Sequence, residues 1–148
     1  MLIDKNSLPL VDAKFMNDTH FEDVDLINEI YEIIEDYEQN KTDENFNRLK
    51  EVYNDWVNHT IQHFTKEEEE MVRKNFFAYP HHKGEHDKNL NDIKIVWKNF
   101  ETSKNVEVLK NYIAYDLVNW LVNHIKSMDT VTARFFNTGM SPCGMLYI

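Results

Sequence analysis

Cysteine, glycine, proline and positive charge are all scarce in this chain. A single cysteine in 148 residues excludes an intrachain disulfide and any thiolate cluster for zinc or iron–sulfur, so a bound metal must use nitrogen and oxygen ligands. Three glycines and three prolines fall far below the roughly 12% combined share of an average globular protein, which leaves few turns and argues against an all-β fold. Lys and Arg number 16 against 26 Asp and Glu, a formal charge of −10. That sign is wrong for gripping a phosphate backbone or an anionic membrane, so neither is expected as a partner. No stretch has the length of uncharged apolar sequence that a membrane span needs, and the opening MLIDKNSLPL lacks a basic start followed by an apolar run. A cytoplasmic location is therefore expected.

What is present suits a packed helical protein. Hydrophobic residues make up 42% and aromatics 13%, a globular composition with a core rich in rings. Pro9, Pro80 and Pro142 with Gly84, Gly139 and Gly144 leave residues 10–79 and 85–138 free of both breakers. Each block exceeds an ordinary helix, so each is expected to fold back once, at Gln39–Asp43 and at Thr102–Asn105. Four helices result, and short links between them make an all-α, up-down-up-down antiparallel four-helix bundle the simplest architecture.

The first helix is predicted to begin near His20, where Thr19-x-x-Glu22 reads as a capping box, and to bury Val24, Ile27, Tyr31 and Ile34. The second, predicted as the longest, carries Phe46, Leu49, Val52/Tyr53, Trp56, Thr60, His63, Glu67 and Met71 on one stripe. The third opens on Pro80, which suits a first turn, and turns Leu90, Ile93, Trp97 and Phe100 inward. The fourth runs from about Asn105 to Met128 through Leu109, Ile113, Leu117, Trp120 and Leu121. One domain over 1–148 is expected, with the bundle at about 18–129, an N-terminal arm at 1–17 and a C-terminal tail at 130–148. Both ends are apolar enough to pack on the bundle or on a partner chain.

Chemistry concentrates in seven residues: His20, His63-x-x-x-Glu67, His82-x-x-x-His86 and His124-x-x-x-x-Asp129. Four residues turn an α-helix by about 400°, so His63 and Glu67, like His82 and His86, stack on one face. His124 follows Trp120 by four and also points inward, while Asp129 falls at the predicted helix end, where geometry can relax. One His-x-x-x-His pair alone is a weak signal, and His59 and His63 make a second. One ligand set per helix is a strong signal. Five imidazoles and two carboxylates exceed the four ligands of a zinc site but would serve two octahedral first-row ions sharing bridges, with iron the natural candidate. The rest of the Glu67–Glu70 run reads as a solvated face, His81 as solvent-exposed, and His59 as either an outer hydrogen-bond partner or an ordinary structural residue. Cys143 reads as a redox-sensitive thiol or a small buried hydrophobe.

These residues resemble the hemerythrin family, specifically its single-domain bacterial members, over about His20 to Asp129. The resemblance includes His63-Phe64-x-x-Glu67-Glu68 followed by Met71, Tyr79-Pro80 before the third helix, and Trp120-Leu121-x-x-His124-Ile125 before Asp129. It implies two non-haem irons joined by an oxo or hydroxo bridge. His82, His86 and His124 would saturate one iron, His20 and His63 would hold the other with one position open, and Glu67 and Asp129 would bridge them. It further implies reversible binding of dioxygen, as a store, carrier or sensor without enzymatic turnover, by a monomer or small homo-oligomer. A pocket walled by Phe64, Trp120, Leu121, Ile125 and Ile27 would keep the open position dry. The alternatives are a di-iron enzyme acting on peroxide or nitric oxide, and iron sequestration.

Overall fold

The computed structural model describes residues 1–139; Cys143 and the rest of the expected tail from 140 on, with the expectations attached to them, lie outside that range. Four long helices form an antiparallel bundle: α1 (Lys14–Gln39), α2 (Asp43–Arg73), α3 (Tyr79–Ser103) and α4 (106–138). Each packs on the next, and α4 closes the ring against α1. Among the described residues no helix is long and apolar enough to cross a membrane.

The two reversals fall where the breaker-free blocks require them. Thr42 caps α2, its hydroxyl accepting from the Asn45 amide at 3.1 Å, and Asn105 caps α4, accepting from the Val108 amide at 3.4 Å. Lys104 takes the left-handed conformation (φ 57°) that ends α3. Pro80 sits in the first turn of α3, where its missing N–H has no partner to lose.

Two boundaries differ from the sequence reading. The first helix starts at Lys14, not near His20, because the Thr19 hydroxyl donates back to the Phe15 carbonyl at 2.7 Å instead of capping a new helix. The fourth runs on to Thr138, past the predicted end near Met128, so α4 rather than α2 is the longest. It does so through two stretches of π-helix, Tyr112–Leu117 and Ile125–Asp129. A π-turn closes on the fifth residue rather than the fourth and widens the helix by one residue.

One aromatic cluster extends from Trp56, near the histidines, toward the α1–α2 and α3–α4 reversals. Tyr53 stacks on Trp97 at 4.8 Å and meets Trp56 edge-on at 5.1 Å, while Phe46, Trp97 and Phe100 form a further ring cluster. Of the predicted inward residues, Tyr31, Phe46, Val52, Leu90 and Trp120 are only half-buried. The N-terminal arm is tied down by two asparagines. Asn28 exchanges a pair of hydrogen bonds with the Ile3 backbone, and Asn17 does the same with Val11, so Ile3, Leu8 and Val11 join the core.

Candidate metal centre

Four helices each deliver ligand-type side chains to one buried point: His20 from α1, His63 and Glu67 from α2, His82 and His86 from α3, His124 and Asp129 from α4. All seven are at most 8% exposed. They fall into two groups in which donor atoms lie within 4.8 Å of one another. One holds His82, His86, His124, Glu67 and Asp129, the other His20, His63 and Glu67.

The wide turn at Ile125–Asp129 explains how His124 and Asp129 meet. Five residues apart on an α-helix, they would point in clearly different directions; on a π-turn they stack. Asp129 therefore does not need the relaxed helix end that the sequence suggested, since the backbone continues helically for nine more residues.

Each carboxylate divides its oxygens between the two groups. Glu67 turns Oε1 toward His86 Nε2 (3.5 Å) and His82 Nε2 (3.6 Å), and Oε2 toward His63 Nε2. Asp129 turns Oδ1 toward His82 Nε2 (3.1 Å) and His124 Nε2 (3.2 Å), and Oδ2 toward His20 Nε2 at 2.9 Å. His82 Nε2 and His124 Nε2 stand 3.2 Å apart. Four buried atoms here, His20 Nδ1, Glu67 Oε1, His86 Nε2 and Asp129 Oδ1, have no hydrogen-bond partner among the described residues. Unpaired polar atoms at this depth are costly unless something else engages them, and three of the four face the common centre. The donor set thus fits hard or borderline cations held by imidazole and carboxylate.

The far nitrogens of three imidazoles are engaged from outside. His82 Nδ1 meets Thr132 Oγ1 at 2.7 Å, His86 Nδ1 meets Glu68 Oε2 at 2.9 Å, and His124 Nδ1 meets Glu85 Oε1 at 2.9 Å. Such contacts fix ring orientation and leave Nε2 as the inward donor atom. Glu68 is thereby not part of the solvated face expected for it, whereas Glu69 is. Neither Thr132 nor Glu85 was evident from sequence, though Glu85 lies three residues after His82 and Thr132 three after Asp129, on adjoining faces. Aromatic rings complete the packing: Phe64 lies flat on His86 at 3.8 Å and Trp120 on His124 at 4.5 Å.

Beside the two-imidazole group is a cavity of about 10 Å³, near the lower limit for one water-sized guest. Phe64, Trp120 and Leu121 line it as expected, but Ile27 and Ile125 are instead buried in the main core. Asp23, Thr60 and Asn89 line it too, so the wall is not wholly apolar. Nothing in the sequence sets Asp23 apart from the other acidic residues, 26 in all. Burial pushes its carboxyl up, against the pull of His63, His59 and the Trp56 N–H. A second cavity, of about 350 Å³, opens at the surface between α1 and α2 and is lined by Asp18, Glu22, His59 and His63 among others. His59 is half-buried with its ring 6.4 Å from His63, and His81 is exposed as expected.

Without metal, the centre holds charge through its own pairs. Burial pulls the His63 imidazole down, but the Glu67 carboxylate outweighs it and holds the group at about 9. His124 is likewise held at about 9 by Asp129 against burial. Burial and Asp129 push Glu67 up, yet the His63 pairing takes it to about 2. Burial holds His82 below its ordinary value. Raised imidazoles stabilise the fold fully below their ordinary 6.5 and lose that contribution as pH rises through about 9. His82, lowered by burial, adds a slope of opposite sign around its ordinary 6.5, where the unfolded imidazole still titrates, and it is outweighed by the two raised groups. The melting temperature of metal-free protein is therefore expected to fall between pH 6.5 and 9.5. A flat or rising profile there would contradict the charge assignment.

The family model for the hemerythrin HHE cation binding domain matches residues 13–135. The chain is 34% identical over 134 residues to a bacteriohemerythrin of Aquifex aeolicus (strain VF5), covering 90% of this chain and 97% of that one. It is 26% identical over 115 residues to a bacteriohemerythrin of Methylococcus capsulatus, covering 78% of this chain and 81% of that one. No solved structure is a significant match. A four-helix bundle with a buried His/Glu/Asp cluster, matched in sequence along most of its length, places this chain in the hemerythrin family of metal-binding domains.

Proposed function

We propose that the protein binds dioxygen reversibly at a non-haem di-iron centre. His82, His86 and His124 would hold one iron and His20 and His63 the other, with Glu67 and Asp129 shared between them and an oxo or hydroxo group completing the bridge. The observation that carries this reading is the division of the two carboxylates, each with one oxygen toward each histidine group. A single ion would not call for that arrangement, and two ions at bridging distance would.

The asymmetry supports ligand binding over storage of metal. Three imidazoles on one side and two on the other leave the second iron a ligand short, on the side where the small cavity lies. Two irons held by these residues would supply the two electrons that reversible dioxygen binding requires. The chain's residues contribute orientation, through the outer contacts to His82, His86 and His124, and exclusion of bulk water, through Phe64, Trp120 and Leu121. A non-enzymatic store, carrier or sensor is the reading that this asymmetry favours.

Purified protein is expected to carry about two irons per chain, as six-coordinate ions sharing bridges require. Its reduced form should gain a visible absorption band in air and lose it under vacuum over repeated cycles. Steady consumption of peroxide or nitric oxide, abolished by His63→Ala, would favour the enzyme instead. A spectrum indifferent to both air and azide would favour sequestration.

A further inference from the structure

The cavity beside the two-imidazole group contains one ionisable side chain that belongs to neither ligand group. Asp23 lies one turn after His20 on α1 and is 8% exposed. Its Oδ1 accepts from Trp56 Nε1 at 2.9 Å, which anchors the carboxyl on the fully buried α2 indole, and among the described residues no hydrogen bond engages Oδ2. Asp23 lies outside both sets of donor atoms that approach within 4.8 Å, so it faces the centre without joining it. The cations that face it are imidazoles alone: His63, His59 and His20. In the di-iron reading His20 and His63 are taken up as ligands, and among the described residues the buried His59 Nε2 has no hydrogen-bond partner. The other polar residues of the cavity wall outside the ligand groups are neutral. The Thr60 hydroxyl is spent on the Trp56 carbonyl at 2.9 Å, and Asn89 carries no charge.

We infer that Asp23 is the specificity-determining residue of the open coordination position, disfavouring aprotic anions there and favouring neutral ligands or ligands that bring a hydrogen-bond donor. Burial disfavours the ionised form of Asp23 while His63 and the Trp56 N–H favour it; where it is ionised, a carboxylate lining a poorly hydrated cavity acts through a low effective dielectric, where like-charge repulsion is far stronger than in water. Its unengaged oxygen is also an acceptor that an aprotic anion cannot satisfy and a protonated ligand can. A neutral diatomic meets neither penalty. The cavity therefore discriminates by charge and proton content as well as by size. This inference rests on the di-iron reading above.

The test uses the iron-loaded full chain, with azide as the aprotic anion and nitric oxide as the neutral ligand, each titrated by its visible spectrum. Asp23→Asn keeps the side chain's volume and its acceptor for Trp56 while removing the charge. It is expected to bind azide about tenfold or more tightly than the parent, the scale on which a desolvated like-charge contact acts, and to bind nitric oxide within about twofold. Asp23→Leu should shift azide in the same direction. Equal azide affinity in parent and Asp23→Asn, or azide and nitric oxide shifted by the same factor, would overturn the role assigned to Asp23. Failure of the parent itself to hold two irons would instead overturn the di-iron reading.

Discussion

Glu67→Gln is expected to lower the iron content of the purified protein from about two per chain to about one or fewer, and to abolish the air-dependent visible band. Glu67 is the only residue common to both groups of converging donor atoms. An amide of the same volume retains one oxygen, which can serve one ion, and turns an NH2 toward the other, which repels a cation. The side with fewer imidazoles has less to lose before it fails, so the His20 and His63 site should empty first. The same change removes the partner that holds His63 at about 9. The alkaline decline in stability of metal-free protein should therefore shrink as well, giving a readout that does not depend on iron. Glu69→Gln, on the exposed side of the same run, is the control and should change neither. Two irons per chain in Glu67→Gln would refute the bridging role.

Why Glu67 was legible in the sequence and its neighbours less so has a physical basis. His63 and Glu67, and His82 and His86, stand four apart, and that spacing is a property of the α-helix itself, needing no knowledge of what lies opposite. The reversals at Gln39–Asp43 and Thr102–Asn105, and the start at Pro80, were legible for the same reason, since capping and ring constraints are local. Asp129 was legible as a residue but not as a geometry: a π-turn inside α4 leaves no local signature in Ile125–Asp129, because it is held by what the widened turn meets across the bundle. Thr19 was misread as a cap because its hydroxyl can bond forward to an amide or back to a carbonyl, and only the chain before it decides which. Asp23 was lost among similar residues. In a sequence this acidic, a carboxylate that enters a cavity looks the same as one that enters water.

Thr132→Val is expected to weaken iron binding by about 10–100-fold, the range typical of lost outer contacts to a metal-bound histidine. The reason lies in where the three outer contacts sit. Glu68 and Glu85 are 19% and 32% exposed, so if either is removed, water can take up the imidazole N–H that it accepted. Thr132 and His82 are both fully buried, and no water can follow. Valine fills the same space but leaves His82 Nδ1–H unpaired, and an unpaired donor at that depth favours any ring rotation or tautomer that relieves it, each of which turns Nε2 from the centre. Thr132 stands on the last helical stretch of α4, in the segment that the sequence suggested was a tail, so the extension of the helix to Thr138 also serves the metal centre. Chelator competition on Thr132→Val and Thr132→Ser measures the effect. Serine keeps the hydroxyl and should bind iron nearly as tightly as threonine. If valine does so too, His82 is oriented by packing against His86 and His124 alone, and the hydroxyl plays no part in holding it.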